Sequence, residues 1–198
     1  MKKLAWILAI LVLHVSASAT HAQADVPSAL GPANPVHSDT SRAIDVWVTN
    51  TEEHLVHVAE AMPESKYSFS PTAGEFKGVR TFAQQVKHFA ANNYAVSARI
   101  LGEKPTPYQV AETGPESVTS KAQILDYLKG SFMALHRAVA TINEKNAAEP
   151  IPGVKAEIVA TRIALAIDAI AHSFDHYGQL VEYLRMNGII PPDSLPRR

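Results

Sequence analysis

Apolar residues recur along this chain at steps of three and four. Ile44, Val48, Thr51, Leu55, Val58 and Met62 make one such stripe, with a single polar member. It predicts a first helix from about residue 40 to Ala61, opened by Ser38-Asp39-Thr40 and closed by Pro63. Phe82, Val86, Phe89, Asn93, Val96 and Ile100 predict a second helix, capped by Thr81 and ended by Gly102. Ile124, Leu128, Phe132, Leu135, Val139 and Ile142 predict a third, opened by the capping box of Ser120 and Gln123. A last apolar run extends from about Val154 to Asn187. Its stripe of Ile163, Ile167, Ile170, Phe174, Tyr177, Val181 and Leu184 predicts a fourth helix, stopped by Gly188 and Pro191-Pro192.

The links between these stripes carry the breakers. Pro63, Pro71, Gly74 and Gly78 lie in one connection, whose Tyr67, Phe69 and Phe76 are expected to pack back on the helices. Pro105, Pro107, Gly114 and Pro115 mark the next, and Pro150 and Pro152 the third. No stretch alternates at period two. Four long amphipathic helices with such links predict an all-α, four-helix bundle.

The first residues follow a different pattern. Lys2 and Lys3 precede an apolar run from Leu4 to Val15, then small residues, then Ala22-Gln23-Ala24. This is the layout of a secretory signal peptide cleaved after Ala24, too short to span a bilayer comfortably. It implies a periplasmic or secreted protein, with no membrane partner once the signal is removed. The expected organisation is a signal peptide at 1–24, a proline-bearing leader at 25–38, the bundle at 39–192 and a tail at 193–198.

Charge and cysteine content narrow the chemistry. The 18 Lys and Arg residues are balanced by 19 Asp and Glu residues, and signal cleavage removes two of the lysines. A slightly acidic exported chain lacks the basic surface that nucleic-acid binding needs. With no cysteine in the chain, disulfides and thiolate ligands are excluded, so any metal must be held by nitrogen and oxygen.

Those nitrogens are at hand. His172 and His176 stand four apart on the last helix, so both imidazoles leave one side of it and can share an ion. Taking about 100° per residue, both fall on the border between its broad apolar face and the narrow polar face of Asp168, Asp175, Gln179 and Glu182. His88 lies on a flank of the second helix, and a bundle can bring that flank against the fourth. Three such ligands with open positions would form a catalytic rather than a structural metal site. His57 is the reserve ligand; His54 and His136 are expected to be solvated. Gln179 and Asn92 are candidates to orient an imidazole or a bound water, and Asp175 to accept a proton.

Three segments resemble the DinB-like family of DNA-damage-inducible proteins and their thiol-transferase relatives. They are Ala61 to Pro71, Val79 to His88, and His172 to Gln179 followed by Tyr183 to Pro192. The resemblance covers nearly the whole chain after the leader. It implies a four-helix bundle that binds a divalent ion, nickel or zinc, through a histidine triad falling here on His88, His172 and His176. It also implies a homodimer. Asp175 and Tyr177 stand where many relatives carry a basic or histidine residue.

Function then has three readings. The first is a metal-dependent hydrolase or transferase acting on a small molecule. The second is a non-catalytic metal or small-ligand binding bundle of the cell envelope, its metal shell closed by a fourth ligand. The third is a structural bundle without metal.

Overall fold

In a computed structural model, residues 38–151 and 160–196 are described. The signal peptide, residues 25–37 of the leader and the beginning of the last apolar run lie outside the described residues. Five α-helices follow in order: α1 Asp39–Ala61, α2 Phe82–Leu101, α3 Pro107–Val110, α4 Lys121–Val139 and α5 Arg162–Met186. Single 3-10 turns occur at Glu64–Lys66 and Pro192–Ser194. The only β-pairing among the described residues is an isolated bridge between Pro150 and Thr161. The four long helices are the predicted ones, and the bundle is all-α.

Their ends are set by side chains that satisfy orphan backbone amides. Ser38 accepts from the amide of Ser41, and Thr81 and Ser120 form reciprocal capping boxes with Gln84 and Gln123. Gly102 ends α2 at φ 69°, a conformation that costs a Cβ-bearing residue energy. α4 stops at Val139, one turn short of the predicted Ile142, which nevertheless remains in the core.

Cross-helix contacts define the topology. His136 of α4 meets Asp45 and Glu52 of α1, while Lys129 meets Glu60, so α1 and α4 are antiparallel. Asn93 with Ser131 and Glu103 with Arg137 make α2 and α4 parallel. Arg80 with Tyr183 and Gln85 with Gln179 make α2 and α5 antiparallel. Each long helix packs on two other long ones, with α1/α2 and α4/α5 across the diagonals. Two successive long helices that run the same way need a crossover, and residues 102–120 supply it, with α3 inside. That segment reads as a loop from its prolines; Pro107 at the first helical position in fact permits the short α3.

The stripes of α1, α2 and α4 are buried as predicted, and Phe82, Phe89, Phe132, Leu128 and Leu135 are fully enclosed. Each such side chain contributes about 1.5–3 kcal/mol of burial. Of the polar stripe members, Thr51 donates to the Trp47 carbonyl at 2.6 Å, while Asn93 donates to the Ser131 hydroxyl and keeps a buried Oδ1 without a partner. Tyr67 and Phe69 pack back on the bundle through Phe82 and Tyr183, but Phe76 is exposed.

The last helix departs from its predicted face. Ile167 is 56 % exposed, and Ile163, Ile170, Phe174 and Tyr177 are only partly buried. The enclosed residues are Leu165, Ala166, Ala169, Ser173, His176, Leu180, Val181, Tyr183 and Leu184, so of the predicted stripe Val181 and Leu184 are buried as expected. Apolar residues cover so much of this helix that they do not fix its rotation. Close contact favours the small side chains of Ala166, Ala169 and Ser173, which turns the histidines inward. No helix among the described residues is long and apolar enough to cross a membrane.

Candidate metal centre

The antiparallel contact of α2 and α5 puts His88 level with His172 and His176. The Nε2 atoms of His172 and His176 are 3.0 Å apart. The His88 ring stands edge-on to both, with centroids 5.2 Å and 5.1 Å away. One nitrogen from each of the three lies within 4.8 Å of the others, a group able to hold a metal ion. An ion bonded at roughly 2.0–2.1 Å would span nitrogens up to about 4.2 Å apart, so the spacing of the three imidazoles fits one with at most a small adjustment.

The protonation pattern favours such an ion. The Nδ1–H of His88 donates to the carbonyl of Glu112, in the α2–α4 crossover, at 2.7 Å. That bond leaves the His88 Nε2 lone pair for a ligand. His176 is 5 % exposed and stacks on Phe89. Burial, then the neighbouring His172 and His88, lowers its pKa to about 4. Burial, then His88, lowers that of His172, with Asp168 and Asp175 opposing. Two imidazoles facing each other through Nε2 cannot both carry a proton there, so at least one lone pair points into the site. Each also has a buried Nδ1 without a protein partner, as has the Ser173 hydroxyl.

Several expected roles change. His176 sits inside the buried face rather than on its border. Gln179 does not orient an imidazole: one turn past His176 it is level with Gln85, whose Nε2 it accepts at 2.7 Å, and it donates to Asp175 at 2.8 Å. The Asn92 amide nitrogen is buried without a partner. His57 is exposed and outside the three-histidine group. His54 is not solvated; it packs edge-on against Phe174 and Tyr177 and bonds the Asn50 carbonyl. Nor is His136, which is clamped between Asp45 at 2.5 Å and Glu52 at 3.0 Å.

The group missed from sequence is Glu112, because a backbone carbonyl has no residue-type signature. Arg80, just before α2, is the other; its charge lowers the pKa of both His172 and His176. It belongs to the Val79–His88 motif, but nothing in the motif shows which way it faces.

A sequence profile described as the DinB superfamily matches residues 48–180. A conserved protein from Enterococcus faecalis, known from a crystal structure, is similar in fold with a TM-score of 0.58. The match covers 78 % of this chain and 98 % of that one at 16 % identity. No curated protein matches the chain.

Proposed function

Because the chain belongs to the DinB superfamily, we propose that it is an exported metalloprotein, a metal-dependent hydrolase or transferase of small molecules. The observation that carries this reading is the convergence of His88, His172 and His176 from two separate helices into one group. These three residues would hold a divalent ion, nickel or zinc, through imidazole nitrogens. When bound, that ion supplies Lewis acidity and a water that ionises near neutral pH.

The surrounding residues have distinct tasks. Glu112 fixes the His88 ring through its carbonyl. Phe89 and the α2–α5 contact keep His176 dry and neutral, the form in which imidazole binds metal. Gln85 and Gln179 form a relay that ends on Asp175 Oδ2. Asp175 is exposed beside the triad in sequence, and we assign its carboxylate to accept a proton. His57 stands apart and the group contains no carboxylate, which favours open positions over a closed, purely structural shell.

Export rests on the signal-like residues 1–24 and places the protein in the periplasm or outside the cell. Cleavage after Ala24 would release a leader, the 39–192 bundle and its tail.

Turnover of thiol, ester or amide substrates should disappear on chelation and return with nickel or zinc. It should also be lost in His172→Ala. Activity that survives chelation, or is unchanged by that substitution, would overturn the reading.

A further inference from the structure

A cleft of about 690 Å³ lies between the α2 and α5 ends beside the triad. Gln85 in its wall is three residues before His88, and Gln179 is three after His176, so the cleft lies about one helical turn from the histidines on both helices. Its lining divides by chemistry. Phe76, Val79, Tyr183 and Met186 give an apolar wall; Phe76 and Met186 are exposed at 39 % and 52 %, large apolar groups left facing open space. Arg80 is a cation in the same wall. The one hydrogen bond of its guanidinium among the described residues goes to Glu112 Oε1 at 2.9 Å. Glu112 is 79 % exposed, and a pair so open to water is weak and exchangeable. Glu182, the acid of the lining, is engaged by Arg185. Gln85 is buried and gives its Nε2 to Gln179, which leaves its Oε1 a buried acceptor without a donor.

We propose that this cleft binds an N-acylated amino acid, its carboxylate on Arg80. The inference rests on the metalloprotein reading above and names its substrate class. Such a molecule carries the three features the lining asks for. Its carboxylate replaces Glu112 on the guanidinium, whose planar fork matches a carboxylate in two bonds. Its amide group meets the amide pair of Gln85 and Gln179 in the wall. Its apolar side chain covers Phe76 and Met186. Glu112 then serves twice: its carbonyl holds His88, and its carboxylate keeps Arg80 aligned until a ligand takes its place.

The test is calorimetric titration of the zinc-loaded full chain with N-acetyl-phenylalanine and with N-acetyl-phenylalaninamide, with zinc content measured on the same samples. The acid should bind about tenfold more tightly than the amide, the worth of a charge-assisted pair. Arg80→Gln should abolish that preference and leave zinc content unchanged, whereas Arg80→Lys should keep part of it. Glu112→Gln frees the guanidinium while keeping the backbone carbonyl on His88, and should tighten the acid about two- to fivefold. Zinc-loaded protein that binds neither compound, binds both equally, or keeps its preference in Arg80→Gln overturns the inference. A chain that takes up no zinc overturns the metalloprotein reading instead, and the Arg80-dependent preference is then read on the metal-free protein.

Discussion

At the scale of single residues, two histidines of opposite character, His176 buried and His136 half-buried, set the pH response. His176 is held neutral by burial and by the imidazoles beside it, with its pKa at about 4. In the unfolded chain it returns to its ordinary value near 6.5. The unfolded state therefore binds the proton first, and this stability contribution is full above about pH 6.5 and lost as pH falls to about 4. His136 has the reverse sign. Hydrogen bonding to Glu52, then to Asp45, raises its pKa against the opposing cost of burial. Its contribution is full below about pH 6.5 and is lost as pH rises through the raised value. Denaturant unfolding of the metal-free protein across pH 4–9 is expected to show both limbs. His176→Gln should flatten the acid limb. His136→Gln should cost about 1–2 kcal/mol near pH 6, because two carboxylates lose their shared partner, and less at pH 9. Neither behaviour is written in the residue type. His136 reads as solvated from its helix alone, because Asp45 and Glu52 lie on a different helix.

At the scale of elements, the crossover between α2 and α4 is the part that most directly holds the site. Lys87 of α2 donates to the carbonyls of Pro115 at 3.0 Å and Val118 at 3.1 Å, strapping the crossover to the helix. Gly114 sits beneath that strap at φ 70°, where an added Cβ would lie 2.4 Å from the Lys87 Cβ. Gly114→Ala should therefore cost about 1–3 kcal/mol and lift the segment. Since Glu112 orients His88 from the same segment, zinc affinity should fall about tenfold or more, measured by competition with a chelator. Thr81→Ala, which removes the capping box at the start of α2, should cost about 1 kcal/mol in denaturant unfolding. The caps were legible because Thr81–Gln84 and Ser120–Gln123 are local patterns. The crossover's function was not, since it works through a glycine's missing Cβ and a backbone oxygen.

At the scale of the whole molecule, three helix stripes out of four predicted the core residue by residue, because alternation of large apolar and polar positions leaves one rotation. Phe132→Ala, at the centre of that core, should cost about 3–5 kcal/mol, a large share of the stability of such a domain. The fourth stripe misled over the first part of α5, up to Tyr177, because apolar side chains cover most of that helix; its last members, Val181 and Leu184, are buried. Its true inner face is marked by small residues and by the two histidines. The parallel course of α2 and α4 was implicit in the long proline-rich link, but it took cross-helix pairs such as Asn93 with Ser131 to fix it. That course leaves α2 and α5 antiparallel neighbours, which is what brings His88 to His172 and His176. The most direct measurement is elemental analysis of the purified chain beside His88→Ala, His172→Ala and His176→Ala. About one nickel or zinc ion per chain is expected in the parent protein, with a loss of tenfold or more in affinity in each variant. Metal content that is absent from the parent, or equal in all four proteins, would contradict a site built by these three histidines.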